Sequence, residues 1–285
     1  MKKNRHINKV AVIGSGIMGS RIACHFANIG VEVLLLDIVP FDLTEEQLKD
    51  KKVRNSIVND SLKSTIKSKP SPIYSKDFVS RITTGNLDDD LPKIADVDWI
   101  IEVVVERLDI KKQVFEKIEK FRTNGTLISS NTSGIPIESM IDGRSDDFKA
   151  HFCGTHFFNP PRYLKLLEII PTTKTKSEVT EFLMSYGDKF LGKDMVLCKD
   201  TPAFIANRIG IYTIMQTLKV EVQDNLIEKI LWLLNSFKGV KVETLTKKEL
   251  FLDEVKNSED DILIGNVSKI TDIDAHIQEL KNATT

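Results

Sequence analysis

A chain of 285 residues has room for one large domain and a smaller one, because single hydrophobic cores stop growing at roughly 250–300 residues. Hydrophobic residues at 41%, charged at 28% and aromatic at 7% exclude the disordered, collagenous and disulfide-rich classes. Lysine and arginine total 40 against 41 aspartate and glutamate, a formal charge of -1, so no global field selects nucleic acid or an anionic membrane, and a small molecule is the expected partner.

In chain order, residues 10–13 form a β-branched run ending in glycines, 17–29 have helical spacing and 31–36 are again strand-like, which makes a βαβ unit. Residues 41–80 differ. They are rich in charge, helical in spacing over 44–69, and broken by Pro70 and Pro72, so they form a helical excursion. Strand-like runs return at 81–84, 99–105, 126–129, 152–158 and 195–198, with a helix over 110–121. This alternation predicts an α/β fold with a doubly wound, mostly parallel sheet. Thr201 reads as an N-cap and Pro202 as the first residue of a helix running to about Glu221, placing a boundary near 200 between domains 1–199 and 200–285. After Asn225 the chain is rich in lysine and acid, with a strand at 262–264 and a helix at 274–281. Cys24, Cys153 and Cys198 lie far apart in apolar runs and read as reduced core residues. No run approaches the roughly 20 apolar residues that span a bilayer, and a cytoplasmic location is expected.

Gly14-Ser15-Gly16-Ile17-Met18-Gly19 is a G-x-G-x-x-G set between a buried strand and a helix, with Asp37 closing the second strand. Gly14 permits the tight turn, Gly16 lets the backbone approach a pyrophosphate, and Gly19 lets helix and strand pack closely. Ile17 and Met18 open the helix whose free N–H groups and partial positive charge favour phosphates. Asp37 suits the ribose hydroxyls and repels a 2′-phosphate, and Ile38, Val39 and Pro40 bring no arginine to offset it. NAD is therefore expected over NADP, on a Rossmann-type domain.

His156 ends a strand-like run in His156-Phe157-Phe158-Asn159-Pro160-Pro161, and Glu168 follows inside Leu166-Leu167-Glu168-Ile169-Ile170. A carboxylate-oriented imidazole suits removal of a hydroxyl proton while hydride leaves for a nicotinamide. The residues alone also allow a core histidine satisfied by backbone and an edge-strand glutamate facing water.

Residues 8 to about 210 resemble the L-3-hydroxyacyl-CoA dehydrogenase family. The resemblance rests on the glycine turn with Met18, on Glu106-Arg107-Leu108-Asp109-Ile110-Lys111, on Ser130-Asn131-Thr132-Ser133, on Gly154 to Pro160 with Glu168, and on the run from Asp200 to Arg208. It implies that His156 is the base and Glu168 its orienting partner. It also implies that Ser133 and Asn207 surround the reacting oxygen of the substrate, and that Glu106 sits on the nicotinamide side. By the same resemblance Asn131 and Ser133 lie where cofactor and substrate meet. Ser61 falls toward the coenzyme A end, with Lys63, Lys67 and Lys69 able to reach phosphates. The implied reaction is NAD-dependent oxidation of L-3-hydroxyacyl-CoA in fatty-acid β-oxidation. An NAD-binding protein without catalysis and a free hydroxy-acid dehydrogenase are the alternatives. The family's second domain is helical and packs against a second subunit. Here the likeness fades after about Gln216, so a homodimer is less firmly implied, and the chain resembles the dehydrogenase part of bacterial bifunctional fatty-acid oxidation proteins.

Overall fold

The computed structural model describes residues 5–209. The expected strand at 262–264, the helix at 274–281 and most of the proposed C-terminal domain lie outside them. Eight strands form one sheet: β1 (Lys9–Ile13), β2 (Glu32–Asp37), β3 (Ile82–Asn86), β4 (Trp99–Glu102), β5 (Leu127–Ser130), β6 (Phe152–Phe157), β7 (Leu166–Pro171) and β8 (Asp194–Leu197). Their order is β3-β2-β1-β4-β5-β6-β7-β8. Every neighbouring pair is parallel except β6 and β7, which run antiparallel. The strand order reverses between β1 and β4, and ligands bind in the crevice at such a point, outside the carboxyl ends of the strands.

The central strands are buried along almost their whole length because both faces of the sheet are covered. Successive residues divide between two cores: Val10 and Val12 of β1 join one, Ala11 and Ile13 the other. Helices α1 (Ile17–Asn28) and α6 (Ser177–Lys189) cover the first face, and α4 (Leu108–Phe121) and α5 (Asp146–Ala150) the second. Trp99 anchors the first, edge-on to Phe26 at 5.4 Å and Tyr186 at 6.3 Å, with its indole N–H donating to Ser129 Oγ at 3.0 Å. Phe115, Phe148 and Phe152 anchor the second, with ring centroids 5.1 to 5.7 Å apart.

The excursion consists of α2 (Lys51–Arg54) and α3 (Ser56–Lys67), shorter than the continuous 44–69 helix expected, with 3-10 turns at Gln47–Lys49 and Lys76–Arg81. Val58 and Leu62 bury its apolar face against the first core. Arg54 clamps it to the end of β3 through Asp89, at 2.8 and 2.7 Å.

Three differences from the sequence reading have physical causes. The run 99–105 is strand only to Glu102, because the chain turns where it meets the glycine-rich turn. Strand β7 and helix α6 were not among the elements expected: the apolar run of β7 is interrupted by a buried glutamate, and the Val179, Leu183 and Tyr186 stripe of α6 lies among polar residues. The helix after Pro202 begins instead at 206. Residues 202–205 form a turn with Ala203 and Phe204 at φ of 61° and 51°, so Thr201 and Pro202 do not open it. Among the described residues no helix is long and apolar enough to cross a membrane.

Candidate active site

The dinucleotide turn follows β1. Gly14 has φ of 103°, and a Cβ there would lie 2.6 Å from the Val103 carbonyl oxygen. A Cβ on Gly19 would lie 1.8 Å from the Gly14 carbonyl oxygen, so this helix residue is glycine for packing. Nothing lies within 4 Å of the Cβ position of Gly16, which leaves open space beside the start of α1. That helix has no side-chain cap and no acid in its first turn. Its orphan N–H groups at Ile17, Met18 and neighbours are therefore free for an anion.

Asp37, the last residue of β2, is held in place. Its Oδ2 accepts from Ser15 N at 2.6 Å and Ser15 Oγ at 2.5 Å, and its Oδ1 from Ile38 N at 2.7 Å. The open cradle at Gly16, the uncapped helix and a fixed carboxylate at the second strand's end suit a pyrophosphate with a ribose diol beside it.

On the other side of the strand-order reversal stands the dyad. His156 and Glu168 are direct partners in the antiparallel register of β6 and β7, so their side chains rise from the same face. The contact is His156 Nδ1 to Glu168 Oε2 at 2.8 Å, with both residues buried. Phe158 at 4.4 Å and Phe204 at 5.8 Å pack against the imidazole and limit its rotation. The second oxygen of Glu168 accepts from Ile205 N at 3.1 Å and Ala206 N at 2.8 Å, the first turn of the helix that opens at 206. Burial and the adjoining Glu168 push the Cys198 thiol up to about 12.

The strand β5 turn completes the floor. Asn131 Oδ1 accepts from Phe157 N at 2.9 Å, tying this turn to β6. Ser133 is exposed: its N–H donates to Glu106 Oε1 at 2.8 Å and its carbonyl accepts from Asn207 Nδ2 at 3.0 Å. The structure thus brings Glu106, Asn131, Ser133, His156, Glu168 and Asn207 together at the carboxyl ends of β4, β5 and β6. It does not bring Ser61 to them. That residue is half-buried on α3, on the β2 and β3 side of the sheet.

Two charged residues escaped the sequence reading as site components. Glu102 at the end of β4 is wholly buried, and Lys111 of α4 is 1% exposed and donates to its Oε1 at 2.8 Å. The signal was a glutamate at the end of an apolar strand, which needs a cationic or donor partner just as Glu168 does. Burial pushes the Glu102 carboxyl up, against the pull of the Lys111 ammonium. Burial would also raise Glu106, but hydrogen bonds from Thr132 and Ser133 together with the Lys111 charge outweigh it and hold that carboxyl below the usual range.

Residues 9–201 match the family model described as 3-hydroxyacyl-CoA dehydrogenase, NAD binding domain. A probable 3-hydroxyacyl-CoA dehydrogenase of Bacillus subtilis is 53% identical over 222 residues, covering 76% of this chain and 28% of that protein. A protein of the same description from Deinococcus radiodurans is 46% identical over 213 residues, covering 75% and 59%. The chain therefore spans less than two thirds of the length of these two relatives. The solved (S)-3-hydroxybutyryl-CoA dehydrogenase of Ralstonia eutropha superposes with a TM-score of 0.59 at 25% identity, over 79% of this chain and 73% of that one. Together with the glycine turn, the doubly wound sheet and the His156–Glu168 contact, these matches show that the chain belongs to the 3-hydroxyacyl-CoA dehydrogenase family, through its NAD-binding domain.

Proposed function

We propose that this chain carries out the NAD-dependent oxidation of L-3-hydroxyacyl-CoA to 3-ketoacyl-CoA, a step of fatty-acid β-oxidation in the cytoplasm. The single observation that carries the reading is the buried His156–Glu168 contact at 2.8 Å, set beside a strand-order reversal that holds an open glycine cradle. NAD, when bound, would supply the hydride acceptor. His156 takes the hydroxyl proton at Nε2, because Nδ1 is engaged by Glu168, whose negative charge stabilises the imidazolium that forms. Ser133 and Asn207 offer polar groups to the developing charge on the substrate oxygen. On the turn that Gly14 and Gly19 shape, Gly16 and the N–H groups at Ile17 and Met18 would hold the pyrophosphate, and Asp37 would hold the adenosine ribose. Glu106 and Asn131 border the nicotinamide half.

In this reading residues 1–199 are the NAD-binding domain and 200–285 a separate domain for substrate and subunit contacts. Ser61 on α3 meets the coenzyme A portion. The test is NADH-linked turnover of acetoacetyl-CoA by the full chain, with His156→Ala as control. The substitution is expected to lower the rate by roughly 100-fold or more, the usual cost of losing general-base catalysis, while NADH still binds. A rate within a few-fold of wild type removes His156 from the role. Turnover of free 3-hydroxy acids in preference to their CoA thioesters redirects the substrate assignment, and NADH binding without turnover of either makes the chain a binding protein.

A further inference from the structure

Glu102 and Lys111 belong to a second charged cluster, at the carboxyl ends of β4 and β5. Glu102 Oε1 accepts from Lys111 Nζ at 2.8 Å and from Val104 N at 2.7 Å, and Oε2 from Ser130 Oγ at 2.5 Å. Lys111 Nζ also reaches Glu106 Oε2 at 3.3 Å, and Glu106 Oε1 takes Thr132 Oγ1 at 2.5 Å and Ser133 N at 2.8 Å. Two carboxyl groups thus share one ammonium, and Glu106, held below the usual range by its hydrogen bonds and the Lys111 charge, carries its negative charge on the partly exposed side. The adjacent Arg107 does not offset it, being paired with Asp109. Replacing a buried ion pair with apolar residues of similar volume is often neutral or stabilising, so packing alone gives little reason for this cluster.

Its position suggests a reason. Gly14 and Asp37 occupy the β1 and β2 side of the strand-order reversal, which takes the adenosine half and the pyrophosphate. The other half of a dinucleotide then falls on the β4 and β5 side, where Glu106 is 45% exposed and His156 stands. The two redox states of NAD differ on that half by one positive charge, carried by the oxidised ring alone. Resting on the cofactor reading above, we propose that Glu102, acting through Lys111, is a positioning residue that holds Glu106 and the Thr132 and Ser133 turn at the nicotinamide end, and that the Glu106 charge so placed biases binding toward oxidised cofactor.

The experiment measures dissociation constants of NAD+, NADH and ADP-ribose by calorimetry for the wild-type chain, Glu102→Gln and Glu106→Gln. ADP-ribose lacks the nicotinamide ring and reports on the adenosine half alone. Removing the Glu106 charge, or the support that holds it in place, is expected to weaken NAD+ about ten-fold in each variant, leaving NADH and ADP-ribose within about two-fold. Failure of ADP-ribose and both cofactors to bind wild type sinks the cofactor reading itself. Binding of ADP-ribose with an unmoved NAD+ to NADH ratio in both variants overturns the charge proposal and leaves that reading intact. A ratio that moves in Glu106→Gln and not in Glu102→Gln removes Glu102 from the device. Should Glu102→Gln not fold, Glu106→Gln decides alone, and an unmoved ratio overturns the proposal.

Discussion

The carboxylate of Glu168 accepts a hydrogen bond from the backbone N–H of Ala206 at 2.8 Å with one oxygen while the other holds His156. One group therefore orients the imidazole and satisfies the first turn of the helix that opens at 206, where Thr201 was expected to act. The dyad and the start of the next segment are coupled through this residue.

Glu168→Ala should accordingly damage stability and rate together. It removes a cap and leaves the part-buried N–H groups of Ile205 and Ala206 without that acceptor, a loss of about 1–2 kcal/mol. Glu168→Gln keeps the shape and one acceptor, and should cost about 1 kcal/mol less while still lowering turnover, because it cannot stabilise the imidazolium. Urea unfolding alongside acetoacetyl-CoA turnover checks both, and an Ala variant as stable as wild type would show that the cap contributes nothing.

Gly16 and Gly19 should separate binding from folding. Gly19→Ala places a methyl 1.8 Å from the Gly14 carbonyl, where only backbone can move, so a loss of about 3 kcal/mol or failure to fold is expected. Gly16→Ala meets nothing within 4 Å and should melt within a few degrees of wild type, yet lose NADH affinity by about ten-fold or more because the methyl fills the pyrophosphate cradle. Thermal melts and NADH fluorescence titration read the two. Equal NADH affinity in wild type and Gly16→Ala would move the phosphates elsewhere.

Asp37→Ala should weaken NADH by about ten-fold and narrow its advantage over NADPH, since the carboxylate held by Ser15 is what meets the ribose hydroxyls and rejects a phosphate. Competition of NAD+ and NADP+ against NADH measures it. An unchanged preference would place the discrimination outside β2.

Lys193 is buried without a carboxylate partner among the described residues, its ammonium donating to the carbonyls of Pro161 and of Leu164, the latter at 2.8 Å. Burial lowers its pKa to about 8 from 10.5. The unfolded chain then binds more protons between those values, so this group's contribution to stability is fully present above 10.5 and is lost as pH falls through 8. Relative to Lys193→Met, the wild-type protein should gain about 1–3 kcal/mol between pH 7 and pH 10.5. Urea unfolding of both at the two pH values tests this, and a constant difference would mean the lysine titrates normally.

The His156 strand was legible as a strand and Glu168 as a carboxylate in need of a partner. Their meeting was not legible, because β7 returns antiparallel after a loop whose geometry depends on distant contacts. Arg162 donates to the carbonyl of Ser71 at 2.7 Å and stacks over Tyr74 at 3.9 Å, and Arg21 of α1 reaches Asn159 Oδ1 at 2.5 Å. These partners lie far away in sequence, and periodicity carries no record of them. Glu102 and Lys111 were hidden for a related reason: each looks like an ordinary strand end or helix face until β5 and the Ser133 turn close over them.

By itself the sequence determined the βαβ unit, the glycine turn and Asp37, because the period of apolar residues and the steric demands at Gly14 and Gly19 are local and act within one short stretch of chain. Only the tertiary structure decided the register that sets His156 opposite Glu168, the burial that gives Lys111 two carboxylates, and the cap that Glu168 lends to the helix opening at 206. Those depend on which strands become neighbours, and that is set by the packing of two cores on either side of the sheet.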